Sequence, residues 1–516
     1  MKRLYLTFAA TLISVVILNA QTIDDIELFN TRDLHGTPRF TAMGGAFTAL
    51  GNDLSAIHLN PASSSVFRQD NLGLSLGFQT RSGDQSFYNG TSPSSDFSFL
   101  FENVGVVKKF ETGGYNNKTE LAFSLGYTKL AEFNREYSVT ADRTIGEFGE
   151  GTLVDYWFQR ELPDGSFDGA FDLAPGQLDR FGLFEELAAS QAGLFYQPDD
   201  TIRDISLGNA NTQTDSKIRY RRNESGSFNE AHIGLAGAYQ DVFHYGIALG
   251  FPTLSYIKED KITEYSLPTD TFPFDANSYT LTRTNDIYGN GVNIKLGVIV
   301  KPAQWFRLGL SYESPSWYTV VQLYNIDVTA QFDNGDFGES DVLSTGEYSY
   351  KLSTPSIYRA GGAFIFGKNG LVSIDYEYSD PSKTRTYTNN GSYNVFEDDL
   401  QAANSSVSNV MTASQAVRVG AEYRLGPVML RAGYGFRESV YRNPQAFKSD
   451  QSTISTGIGY QNEDFSIDVS YSRSSFSRQD FVHPFYTETE NGAETEELVD
   501  SDMIRSNIIL GVGIRF

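Results

Sequence analysis

Five histidines, His35, His58, His232, His244 and His483, and no cysteine make up the chain's stock of imidazole and thiol. The histidines are scattered without metal-ligand spacing, and the absence of thiols removes disulfide frameworks and thiolate metal sites. No phosphate-cradling Gly loop, HExxH helix or GxSxG elbow occurs in a fitting context. A hydrolase would need a serine and a histidine meeting on one face. His232 and His244 fall on inward positions of neighbouring strands. Around the turn at 241–242, however, position 244 pairs near 239 and 232 near 251, so both read as structural residues. No catalytic residue, metal or cofactor is expected, and an enzyme is the weakest reading.

The composition points elsewhere. The chain has 64 acidic against 40 basic residues, a net charge of −24 that disfavours nucleic acid as a partner. With 14% aromatics, 47 Gly, 30 Tyr and 38 Phe it is too aromatic for a disordered chain. No run of about 20 apolar residues follows the first twenty positions, so helical membrane spans are excluded. A large β protein with one solvated face remains.

The two ends set the compartment and the solvent. Lys2 and Arg3 precede an apolar run from Leu4 to Leu18 and then Asn19-Ala20-Gln21, the order of a secretory signal peptide (1–20) cleaved after Ala20. Removing it leaves 496 of the 516 residues and takes the net charge to −26, because only Lys2 and Arg3 are lost among charged residues. At the other end Ile508, Leu510, Val512, Ile514 and Phe516 alternate with small or polar residues, a strand of period two. A chain ending on such a strand with a terminal Phe resembles the assembly signal of bacterial outer-membrane barrels. It implies the barrel assembly machinery as a partner, with Leu510, Val512, Ile514 and Phe516 as the signal.

Alternating runs of roughly ten residues recur, as tilted strands crossing a bilayer require. Outward sets include Leu72/Leu74/Leu76/Phe78, Leu121/Phe123/Leu125/Tyr127, Phe306/Leu308/Leu310/Tyr312 and Phe465/Ile467/Val469/Tyr471. The intervening positions are Gly, Ser or charged: Arg307, Glu313, Asp375, Glu377, Arg418, Glu422, Arg424, Arg431, Arg437 and Asp468. Charges of both signs there suit a water-accessible lumen and read first as wall-stabilising ion pairs. The predicted strands are 70–80, 97–110, 119–140, 216–240, 243–258, 279–301, 304–331, 345–367, 370–387, 409–425, 427–440, 451–462, 464–478 and 502–516. The fold class is therefore all-β, a 14-stranded antiparallel transmembrane barrel over 70–516. Connections after odd strands are long (81–96, 141–215, 259–278, 332–344, 388–408, 441–450, 479–501) and those after even strands short. This alternation puts both termini in the periplasm.

Fourteen strands leave a lumen too wide to stay empty. Residues 21–69 precede the first strand and are turn-rich, which makes them a candidate plug. Within them stand Gly36-Thr37-Pro38-Arg39-Phe40-Thr41-Ala42-Met43-Gly44-Gly45-Ala46-Phe47, then Asp53-Leu54-Ser55-Ala56, then Asn60-Pro61-Ala62. This segment resembles the N-terminal hatch of the FadL/TodX family, outer-membrane transporters of long-chain fatty acids and other hydrophobic compounds. The resemblance implies fourteen strands, a hatch in the lumen, and gating by Gly44, Gly45 and Ala46 with Asn60, Pro61 and Ala62. The long 141–215 loop and the acidic balance depart from the fatty-acid transporters.

The resemblance also implies sideways release into the bilayer at a kinked third strand. Here the outward series Leu121 to Tyr127 meets Lys129 where an apolar residue is due. Leu130 then takes the opposite parity, and Phe133, Tyr137 and Val139 restore the odd series. A bulge over Thr128, Lys129, Leu130, Ala131 and Glu132 would make a lateral-opening region; the plainer reading is that Lys129 marks the membrane's outer edge. In the 141–215 loop, Leu178, Phe181, Phe184, Leu187 and Ala188 recur at helical spacing. Asp199-Asp200 and Glu488 to Asp502 read as solvated outside loops. The expected partners are outer-membrane lipids and lipopolysaccharide, a hydrophobic small molecule and the assembly machinery. The favoured function is passive uptake of hydrophobic small molecules; the alternative is a non-transporting barrel subunit of a larger outer-membrane complex.

Overall fold

Fourteen wall strands follow one another round a single closed sheet, and each is hydrogen-bonded to its chain neighbours. The computed structural model describes residues 23–112, 119–145, 184–196, 203–204, 214–265, 276–332, 335–341, 343–389, 397–442, 449–483 and 497–516. Segment 1–20, the 178–183 part of the expected loop helix and Asp199-Asp200 lie outside them. The first strands are β1 (Asn71–Phe87), β2 (Gly90–Thr112), β3 (Thr119–Glu132 continued by Arg135–Ile145), β4 (Thr214–Tyr239) and β5 (Phe243–Tyr265). They are followed by β6 (Ala276–Ala303), β7 (Phe306–Glu313 and Trp317–Phe332), β8 (Leu343–Ser353 and Ile357–Phe366) and β9 (Gly370–Ser379 and Arg385–Thr388). The wall ends with β10 (Ser414–Leu425), β11 (Val428–Arg437), β12 (Gln451–Gln461), β13 (Phe465–His483) and β14 (Glu497–Arg515). β14 pairs antiparallel with β1, with Leu72 opposite Ile514, Leu74 opposite Val512 and Leu76 opposite Leu510. Pairing of the first strand with the last removes the two terminal edges that lipid would otherwise face.

The two faces of the wall differ as the alternation demands. Leu310 is 64% exposed while its neighbour Ser311 is 8% exposed. Leu510, Val512 and Ile514 are half-exposed on the outside, whereas Ile509 is buried. In water such an apolar exterior would be strongly unfavourable; in a bilayer it is the required surface. Trp305, Phe306 and Phe364 cluster at the short-turn end, where an interfacial aromatic girdle belongs.

Several boundaries move. The predicted 81–96 loop is mostly sheet: β1 and β2 run on in register from Arg81 opposite Asp96 to Phe87 opposite Gly90. Above the apolar band both faces of a strand are polar, so no alternation marks it. Residues 497–502 likewise belong to β14, and 409–410 close a helix, α5, defined below. Strands β7, β8 and β9 are each broken, at Ser314-Pro315-Ser316, Thr354-Pro355-Ser356 and Asp380-Pro381-Ser382. Proline has no N–H for the ladder, which is enough to interrupt each one.

The helices come from the segments that join or precede the wall strands. α1 (Ile23–Leu28), α2 (Pro38–Ala42), α3 (Ala56–Leu59) and a 3-10 turn (Pro61–Val66) come from the N-terminal segment. α4 (Phe184–Gln191) comes from the long loop and α5 (Glu397–Val410) from the β9–β10 connection. Ala188 and Ala189 of α4 join Phe87, Tyr220, Tyr279 and Val328 in an apolar layer across the long-loop end. Leu400 and Val407 of α5 pack in one cluster with Ile26 and Phe29.

Candidate functional site

Cap chemistry shapes the N-terminal segment. Thr37 Oγ1 accepts the Phe40 N–H at 3.2 Å and Pro38 opens α2, a favoured pairing of cap and first residue. The Asp53 carboxylate accepts the Thr37 hydroxyl at 2.8 Å and the Ser55 N–H at 2.9 Å, folding the segment on itself. Asn60 Oδ1 accepts the Ala62 N–H at 3.1 Å, so Asn60-Pro61 starts the 3-10 turn by the same logic. The Asn60 amide also donates to Thr48 O at 2.8 Å and to Val298 O of β6 at 3.2 Å. One side chain thus joins two parts of the segment to the wall, near its short-turn end. Gly44 and Gly45 have φ of 63° and 76°, a left-handed pair that glycine adopts without strain. Gly44 N donates to Ser455 Oγ at 3.1 Å. Ala46 and Ala62 are fully buried.

The wall is cut to receive this segment. A Cβ on Gly297 would lie 1.8 Å from Asn60 Oδ1, one on Gly309 2.1 Å from Thr48 O, and one on Gly433 2.3 Å from Gly44 N. Inward glycines let two backbones touch where any side chain would hold them apart.

Inward charges fasten the same segment. Arg39 pairs with Glu422 at 2.9 Å, Asp33 accepts both arms of Arg505, Arg307 donates to Leu50 O at 2.7 Å, and Asp375 accepts the Thr48 N–H at 2.7 Å. His58 Nδ1 lies 2.8 Å from both Lys295 Nζ and Glu230 Oε1. Burial, with the Lys295 cation, pushes the His58 pKa below its ordinary value. Glu313, Arg359, Glu377 and Arg418 continue in a chain of ion pairs along β7 to β10, at 3.0, 2.7 and 3.1 Å. The charges expected to line a watery lumen are thus largely engaged with one another or with the N-terminal segment.

On one side the wall parts. β2 and β3 pair from Thr112 opposite Thr119 up to Asn103 opposite Thr128, and no further. Above that point, among the described residues, β2 pairs only with β1, and β3 only with β4. Each strand is irregular at this level. Glu102 is the extra residue of β2 against β1, and Leu130 that of β3 against β4. Thr128, Lys129, Leu130, Ala131 and Glu132 are all buried, with Lys129 Nζ 2.5 Å from Glu132 Oε2. Lys129 therefore does not mark an outer edge. Nor do Tyr137 and Val139 return to the outward face: they are buried and Glu136, Ser138 and Thr140 are exposed, because the extra residue shifts parity for the rest of the strand.

Side chains replace the missing ladder. Asn103 Nδ2 donates to Tyr127 O at 3.0 Å at the fork. Arg81 reaches Glu132 O at 2.6 Å and Asn134 O at 3.1 Å, and Asp96 and Asn89 accept the Glu136 and Asp142 N–H groups at 3.2 and 3.0 Å. The N-terminal segment binds both edges. Asp33 N donates to Leu130 O at 2.8 Å, and Glu102 takes Gly36 N at 3.2 Å and His35 Nδ1 at 2.9 Å.

The histidines are separated, with His232 opposite Gly250 and His244 opposite Ala238. A serine does meet one of them, as the sequence alone does not reveal: Ser65 Oγ is 2.8 Å from His244 Nδ1, and Asp241 is 3.3 Å from its Nε2. Ser65 is buried and its hydroxyl also bonds Ala62 O at 2.8 Å, so the contact pins the 3-10 turn to β5. Among the described residues no group of three or more His, Asp or Glu is placed to hold a metal. Two cavities, of about 80 and 150 Å³, lie along the N-terminal segment. They are lined by arginines and acids beside a few apolar groups such as Leu34, Phe133 and Phe476.

No sequence-family profile and no curated protein sequence matches the chain. Solved structures do. A Pseudomonas aeruginosa FadL homologue superposes with a TM-score of 0.53 at 12% identity, covering 94% of this chain and 99% of that one. The toluene transporter TodX of Pseudomonas putida gives 0.51 at 13% identity, with 94% and 99% covered. The chain has the fold of the FadL and TodX barrels, fourteen antiparallel strands closed into a membrane-spanning wall.

Proposed function

We propose that this protein is a passive outer-membrane conduit for hydrophobic small molecules. In this reading residues 21–69 are the gate and the parted seam at 128–132 is a lateral exit into the bilayer. The fold it shares with a FadL homologue and a toluene transporter supports the substrate class. The observation that carries the reading is the loss of β2–β3 pairing above Asn103 and Thr128, at the level where Asp33, His35 and Gly36 bind both edges. A hydrophobic ligand returned to water loses roughly 0.8 kcal/mol for every buried methylene, and sideways release avoids that loss.

The native chain has no cysteine, so an engineered pair reports cleanly. Ser98 and Asn134 face each other across the seam, Oγ to Nδ2 at 3.2 Å. A Ser98→Cys/Asn134→Cys disulfide should stop uptake of an apolar probe such as toluene into cells, and reduction should restore it. Undiminished uptake through the locked barrel would exclude the lateral route. A wild-type protein that takes up no apolar probe and copurifies with a large assembly would favour the non-transporting subunit.

A further inference from the structure

Two guanidinium groups beside the N-terminal segment have no carboxylate partner among the described residues. Arg81 of β1 is 7% exposed and gives its hydrogen bonds to main-chain carbonyls. Arg32, in the segment itself, likewise donates to Phe29 O and Thr31 O. Both line the cavity of about 150 Å³ on the long-loop side of the segment, and Arg135 and Arg505 line it too. In each of the four, one guanidinium nitrogen is shut off from solvent and has no hydrogen-bond partner: Nε of Arg32, Arg81 and Arg505, and Nη1 of Arg135.

Apart from the exposed Glu438, which also lines the cavity, the neighbouring carboxylates are already engaged. Asp33 takes both arms of Arg505; Glu224 and Asp480 take the other nitrogens of Arg135 at 2.7 Å each. Glu132 pairs with Lys129, and Glu27 accepts the Tyr441 hydroxyl. Arg81 sits within repulsive range of Arg505 and Arg135, and the carboxylates that also reach it, Asp33 and Glu224, are the ones these two arginines already hold. A buried cation with no ion pair of its own, as Arg81 is, is strongly unfavourable, and placing it with the half-buried Arg32 beside two further arginines in a chain of net charge −24 runs against its balance. The missing component is negative, rich in acceptor lone pairs and small.

We propose that this chamber binds one compact oxyanion of the phosphate or sulfate type, which bridges Arg32 on the N-terminal segment to Arg81, Arg135 and Arg505 on the wall. Planar guanidinium donors match the several oxygens of such an ion, and charge-assisted bonds of this kind are the strong ones. The ion draws the segment to β1, β3 and β14 at once, beside the parted seam. Phe133, Phe476 and Met503 line the same cavity, so the oxyanion is either free or the head of an amphiphile. The site stands apart from the uptake reading, and either can fail alone.

The test is calorimetric titration of the folded full chain in phosphate-free detergent with sodium phosphate, sodium sulfate, decyl sulfate and decanol. One saturable site for phosphate or sulfate is expected, weakened at least tenfold in Arg32→Gln and unchanged in Lys108→Gln on the exposed outer face. Arg81 also holds the β3 carbonyls, so Arg32→Gln is the primary variant and Arg81→Gln the second, each checked for folding by heat-dependent gel mobility. Decyl sulfate binding like sulfate indicates a free ion; tighter binding than sulfate, without binding of decanol, indicates a headgroup. No saturable binding of either inorganic ion by the folded wild type overturns the proposal. So does equal affinity in Arg32→Gln, or decanol binding as well as decyl sulfate.

Discussion

The seam that closes the barrel and the seam between β2 and β3 are built from the same kind of neighbouring strands, yet they behave oppositely. β1 and β14 stay in unbroken register from Asn71 opposite Arg515 to Ser86 opposite Asp500. β2 and β3 separate after Asn103 and Thr128. At the closing seam the outward residues of the apolar band are Leu, Ile, Val and Phe, and the ladder stays whole even where Gln79 and Arg81 face Asn507 and Arg505 on the inner side. At the parted seam two extra residues, Glu102 and Leu130, fall at one level, and Asn103, Arg81, Asp96 and Asn89 take over the freed backbone groups. A membrane wall tolerates a missing ladder only where other polar groups replace it, because an unpaired amide in lipid costs several kcal/mol.

The largest effect expected from breaking this contrast comes from removing residues 21–69. That deletion takes away the bonds from Asp33, His35 and Gly36 to both edges of the parted seam, together with the buried segment. Leakage of polar solutes from proteoliposomes should rise strongly; unchanged leakage from a properly closed barrel would contradict a plug. Next comes one charge placed at each seam. Leu510→Arg, amid the outward apolar run of β14, should cost about 2–4 kcal/mol in urea unfolding, whereas Ser138→Arg, outward on β3 beyond the bulge, should cost about 0–1. Equal losses would mean that both seams lie at the same depth in lipid. The smallest effect is at a wall glycine. Gly297→Ala must displace Asn60, at about 1–3 kcal/mol of overpacking. It should be read as faster proteolysis within 23–69 while the β1–β14 seam stays intact.

The wall was legible because lipid imposes a strict code. Every span through the apolar band must alternate, so Leu72 to Phe78 and Ile508 to Ile514 declare their outward face from sequence. The code stops where the lipid stops. Residues 81–96 and 497–502 are sheet without alternation, and they read as loops. Asn60-Pro61-Ala62 was visible as a motif, and its cap geometry explains why those residue types stand there. Its contacts with Val298 and Thr48 depend on register across the barrel, which no local pattern carries. The bulge at 128–132 left a trace in the misplaced Lys129, but the direction of the strand after it did not: Tyr137 and Val139 are inward because one residue was inserted, not two. The breaks in β7, β8 and β9 were missed: 304–331, 345–367 and 370–387 read as continuous strands although Pro315, Pro355 and Pro381 lie inside them.

The glycine sockets bind distant parts of the chain into one hereditary unit. Gly297 has no space for even a methyl group while Asn60 occupies it, and the same holds for Gly309 against Thr48 and Gly433 against Gly44. A change at either member of such a pair is harmful until the other changes too. Descendants of this chain should therefore vary freely in loops and on lipid-facing positions. Gly297 and Asn60, separated by more than two hundred residues, should instead persist together or be replaced together, and sequences gathered from related organisms will reveal which.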